Sequence, residues 1–167
     1  MKEYIHYGHK YFNPNNFNKI KNEYLWVKPI GGLWASPIDA EWGWKDWCES
    51  NEFRECNEEN SFKFTLSKDA NVYHIYSVKD LENLPRQELP PELYSSSRKY
   101  ILDFECMVNS GYDAIELHLS EEKYDEVPGQ YQFMNGLYYA LYGWDCDSIL
   151  IMNLDIIVPI LNFPENL

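Results

Sequence analysis

The stretch that most restricts the fold is DSILIMNLDIIVPIL, residues 147–161. It is almost wholly apolar, and its pattern breaks around Asn153–Asp155. That reads as two strands divided by a short turn. Further strands are expected upstream. EYIHYG (3–8) forms the first, ending at Gly8. SFKFTL (61–66) alternates, so Phe62, Phe64 and Leu66 share one face. The chain turns at KDAN and resumes with Val72, Tyr73, Ile75 and Tyr76, and YDAIELHL (112–119) adds another strand.

Helical signals are fewer. NPNNFNKIKN (13–22) is turn-rich and then allows one short helix. In SPIDAEWGWKDWCESNEF, Ser36 is expected as a helix cap with Pro37 at the first position. Trp44, Trp47 and Cys48 then fall on one face. VKDLENLP predicts a short helix ended by Pro85, and RKYILDFECMVNSG a helical face closed by Gly111. Residues 85–97 read as a Pro- and Ser-rich loop and SEEKYDEVPGQ as a polar one, while QFMNGLYYALYGW fits a helix or a buried turn. Strands outnumber helices, and there is no internal repeat or linker. The expectation is one α+β domain over residues 1–167, with small helices packed on antiparallel-leaning sheets.

The chain carries 27 acidic against 14 basic residues, a net charge of −13. Such a chain is repelled by nucleic-acid backbones, and its few cations are scattered. A nucleic-acid partner is therefore not expected. The N-terminus lacks a signal-peptide pattern, and no apolar run is long enough for a membrane span. Four cysteines without a CxxC pair suggest free thiols. The expectation is a soluble, cytoplasmic protein.

VKPIGGLWASP (27–37) is the most unusual segment. It reads as strand, yet two glycines interrupt it. Glycine within a strand marks a bulge or a close approach to the backbone by another molecule. Trp34 beyond them suits a stacking platform or the core. His6 and His9 sit on opposite faces if both lie in one strand, so no metal site is expected. Glu116, Asp145 and Asp147 are the candidate acids. Asp145 and Asp147 lie two apart at the mouth of an apolar strand and would face the same side.

The ordered set His6–Tyr7–Gly8, then GGLWAS (31–36), GYDAIEL (111–117) and DCDSILIMNLDIIVPI (145–160) resembles the ADP-ribosyltransferase superfamily, in particular its small phage and bacterial members. The resemblance implies split β-sheets with small flanking helices and NAD as substrate. It implies a mono-ADP-ribosyltransferase that cleaves NAD and passes ADP-ribose to a macromolecular acceptor, a protein by expectation. On that reading His6 holds the adenosine ribose, and Tyr7 or Trp34 stacks on nicotinamide. Gly8 and Leu33 belong to the cofactor-binding stretches, and the Gly31–Gly32 backbone meets the nicotinamide amide. Ser36 supports the acid, and Asp145 stabilises the charge at the nicotinamide ribose, with Asp147 or Glu116 in reserve. Acceptor choice falls to loops at 85–97 and 120–135. The acid is Asp where the superfamily usually has Glu, and the Trp-rich segment 42–47 departs from its common pattern. The alternative is a non-enzymatic inhibitor or decoy of the same fold, whose acidic surface docks on a basic protein.

Overall fold

The computed structural model describes residues 1–25, 28–94, 99–119 and 143–160. The chain is mixed α+β, with one large mixed sheet and few helices. The strands among the described residues are β1 (Glu3–Tyr7), β2 (Leu33–Pro37), β3 (Ser61–Leu66), β4 (Val72–Ile75), β5 (Arg86–Glu88), β6 (Tyr100–Leu102), β7 (Ala114–Leu117), β8 (Ser148–Ile151) and β9 (Ile157–Pro159). Among the described residues the α-helices are α1 (Trp44–Ser50) and α2 (Phe104–Asn109). The large sheet runs β4-β7-β8-β2-β1-β3-β9, and β5 and β6 form a separate two-stranded ribbon. Every neighbour pair in the large sheet is antiparallel except β4 with β7.

Alternation explains how the sheet is buried. Leu150 packs in a cluster with Ile115, Leu117, Phe104 and Met107, while Ile149 and Ile151 pack in a second cluster with Leu33, Phe64 and Tyr4. Successive residues of β8 thus feed two cores, and all four of its residues are buried. This is why the run at 149–152 is apolar without interruption.

Strand β2 changes partner along its length. Leu33, Trp34 and Ala35 pair with β8, whereas Ser36 and Pro37 pair with Ile5 and Tyr4 of β1. The end of β1 therefore parts from the start of β2.

Several expectations shift in detail. Residues 24–28 do not form a strand among the described positions; instead Lys21 and Ile30 exchange two backbone hydrogen bonds of 2.9 Å. Ser36 and Pro37 end β2 rather than opening a helix, and α1 starts after Gly43. The Ser36 hydroxyl nonetheless accepts the Trp44 N–H at 2.9 Å, so it caps α1 across space. Residues 85–94 hold β5 and a 3-10 turn at Pro91–Leu93 rather than an unstructured loop. The segment at 100–109 is a strand followed by a helix, because Asp103 accepts the Cys106 N–H and sets the start of α2. Expectations for 120–142, including the acceptor loop at 120–135, fall outside the described residues, as do residues 95–98 of the other acceptor loop.

Candidate functional site

A cavity of about 540 Å³ lies where β1 and β2 part. That volume is within the range of small-molecule sites. The end of β1 contributes Ile5, His6, Tyr7 and Gly8. The β2 segment contributes Gly32, Trp34, Ala35 and Ser36, and the turn into β8 contributes Gly143 to Cys146. Lys28, Arg54, His9, Phe17 and Trp44 complete the wall.

His6 holds the parting strands together. Its Nδ1 lies 2.7 Å from the Trp34 carbonyl oxygen, which can only accept, so Nδ1 carries the proton. Its Nε2 lies 3.1 Å from His9 Nδ1. Burial lowers the His6 pKa, although the bond to Trp34 opposes this, so the ring is neutral at neutral pH. In the neutral ring Nε2 accepts, and His9 donates to it. The two histidines therefore meet rather than facing apart. β1 ends at Tyr7, and Gly8, at φ +130°, turns the chain so that His9 stacks on His6.

The glycine pair has its explanation within the chain. Gly31 and Gly32 have φ of +85° and +70°, in the region that side chains avoid. A Cβ on Gly31 would lie 2.3 Å from the Lys19 carbonyl oxygen. One on Gly32 would lie 2.7 Å from Leu150 Cδ1 and 2.9 Å from the Ile151 carbonyl oxygen. Residues 18–20 and β8 take up the space that a side chain would need. Gly32 lines the cavity, whereas Gly31 and the fully buried Leu33 do not.

The acids separate. Residues 145–147 precede β8, so the two aspartates do not share a strand face. Asp145 is exposed and lines the cavity. Asp147 is buried and accepts the Leu119 N–H at 2.5 Å. The Asp147 carbonyl accepts the Ser36 hydroxyl at 2.9 Å, and the Asp145 carbonyl accepts the Trp42 indole N–H at 2.9 Å. Ser36 and Trp42 thus fix the backbone of the turn that presents Asp145. Glu116 is fully buried outside the cavity, bound to Lys2 at 2.7 Å and accepting the Tyr4 hydroxyl at 3.2 Å. Burial pushes its carboxyl pKa up, but hydrogen bonds from His74 and Lys2 and the Lys2 charge prevail and hold it below the usual value.

Four features of the cavity were not read from the sequence: Lys28, Arg54, His9 and Trp144. Lys28 stands over the Trp34 ring at 5.0 Å, and Arg54 over the Trp44 ring at 5.3 Å. Burial lowers the Lys28 pKa, while the charge of Asp145 pulls it back up. Trp144 packs edge-on to Trp34 with centroids 4.6 Å apart. It is buried, and its indole N–H has no acceptor among the described residues. The signal available for Lys28 was its place beside the glycine turn in a chain short of cations. The cavity therefore offers aromatic faces, two cations and one exposed carboxylate.

No family model matches the chain, and neither a curated protein nor a solved structure matches it. Among the described residues, no helix is long and apolar enough to cross a membrane.

Proposed function

We propose that this protein is a mono-ADP-ribosyltransferase that binds NAD in the cavity between β1, β2 and the turn before β8. One observation carries the reading. Three of the four stretches on which the resemblance rests, through His6–Gly8, Gly32 with Trp34–Ser36, and Asp145, line a single cavity, while the fourth, at 111–117, does not. The three do so because β8, β2 and β1 are consecutive in the sheet.

The lining suits a dinucleotide. Tyr7 and Trp34 offer faces for flat rings. Lys28 and Arg54 answer the pyrophosphate charge within an otherwise acidic chain. The His6 ring nitrogens are already engaged, so contact with a ribose hydroxyl requires His9 to swing off Nε2.

Asp145 is the working acid on this reading. The bond between ribose C1′ and the nicotinamide nitrogen breaks, and its electron pair leaves with nicotinamide, cancelling the ring's positive charge. Positive charge then develops at C1′, and the Asp145 carboxylate stabilises it. The acceptor's nucleophilic atom bonds to C1′ and gives its proton to solvent. The cavity's main contribution is orientation. Asp147 and Glu116 are set aside for this role, because neither lines the cavity.

The test pairs a thermal shift with a nicotinamide-release assay. NAD should raise the Tm of the wild type and of Asp145→Ala, since a specific ligand stabilises by mass action. Release should fall at least about 100-fold in Asp145→Ala, and Asp145→Glu should retain it. A wild type that neither binds NAD nor releases nicotinamide ends this reading.

A further inference from the structure

A second constellation lies outside the cavity. Strands β4 and β7 run parallel, and His74 is the register partner of Glu116. His118 follows two residues after Glu116, and its N–H bonds to the Ile75 carbonyl at 3.0 Å, which continues the pairing past the end of β7. Residues two apart on a strand face one way. The three side chains therefore converge on one side of the sheet.

The separations are informative. His74 Nδ1 is 3.0 Å from His118 Nε2 and 3.2 Å from Glu116 Oε2. His118 Nε2 is 3.8 Å from the same Glu116 oxygen. Donor atoms about 2.0–2.1 Å from a tetrahedral zinc ion sit about 3.4 Å apart. The three edges straddle that value. Protons alone satisfy the triangle poorly. A proton on His74 Nδ1 can point to His118 or to Glu116, and protons on both facing ring nitrogens would collide at that distance. A cation at the centre meets all three atoms at once.

The surroundings hold the donors in place. The Tyr4 hydroxyl and the Lys2 ammonium orient Glu116, one on each carboxylate oxygen. Tyr76 stacks on the His118 ring at 4.2 Å and 11°, fixing its plane. Such outer partners are characteristic of metal sites. Glu116 is fully buried, while His74 is 44% exposed and opens the group to water.

We infer that Nδ1 of His74, Oε2 of Glu116 and Nε2 of His118 form a site for one zinc-class divalent cation, with the fourth position open to solvent. Two imidazoles and one carboxylate suit Zn²⁺, whereas Mg²⁺ and Ca²⁺ favour all-oxygen sites. The absence of a metal site expected from the sequence weighed only His6 and His9. None of the three donors lines the cavity, so this inference stands apart from the NAD reading.

The experiment strips the full chain with a chelator and titrates it with Zn²⁺ against a chromophoric competitor. One equivalent should bind, and Co²⁺ should give the strong visible absorption of a four-coordinate centre. His74→Ala, at a half-exposed side chain, should stay folded by circular dichroism and bind Zn²⁺ more than about 100-fold more weakly. His118→Ala should lose the site likewise, and His9→Ala should leave it unchanged. No one-to-one binding, binding that survives loss of both His74 and His118, or a site lost in His9→Ala would each overturn the assignment.

Discussion

Gly31 and Gly111 share nearly the same left-handed backbone, with φ of +85° and +87°, yet they require glycine for different reasons. A Cβ at Gly111 would meet nothing within 4 Å, whereas one at Gly31 would strike backbone at Lys19 and Asn18. Gly111→Ala should therefore cost only the conformational penalty, about 1–2 kcal/mol. Gly31→Ala adds a clash with carbonyl groups that cannot rotate away, and should cost at least about 3 kcal/mol. Urea unfolding of the two variants checks this, and equal losses would contradict it. That something unusual happens at 31–32 was legible in the sequence, because glycine is out of place there. The cause was not legible. It lies in residues 18–20 folding back against the turn, a tertiary contact that no local pattern announces.

Among elements, β2 governs the geometry, since it joins β8 by one half and β1 by the other. Ser36 sits at the changeover. Its hydroxyl donates to the Asp147 carbonyl and accepts the Trp44 N–H, tying three elements with one side chain. Ser36→Ala leaves a buried carbonyl and a helix N–H without that partner. It should cost about 1–3 kcal/mol, seen as a lower urea midpoint with an unchanged slope. The strands of the large sheet were readable, because alternation and apolar runs survive in the sequence as such. The β5–β6 ribbon was not, since β5 sits in a proline-rich, polar stretch whose pairing depends on Ile101 and Leu102, in a later segment that reads as helix. Ser36 as a cap was readable in kind but not in place: the helix that it serves begins eight residues on. The grouping of His74, Glu116 and His118 could not be read at all, because it needs the parallel register of β4 and β7.

Across the molecule, acid should act through His6. Its folded pKa is lowered by burial, so the unfolded chain takes up the proton at a higher pH than the folded one. Its contribution to stability is complete above the unfolded value of about 6.5 and is lost as pH falls through the folded value. The Tm should fall as the pH drops below about 6.5. His6→Asn, which cannot titrate there, should flatten part of that drop, and a parallel profile would rule out His6 as the source. At this scale the sequence yielded the fold class and three of the cavity's walls. It missed the two cations that line the same space, because Lys28 and Arg54 are brought there only by packing. The parallel pairing of β4 with β7 has one more consequence, for the order of events as the chain folds. Parallel neighbours cannot close as a hairpin, and everything from 76 to 113 intervenes. Loop closure over such a span is slow. The seat formed by His74 and Glu116 exists only once that span has closed, so zinc capture by a refolding chain would report the moment of closure.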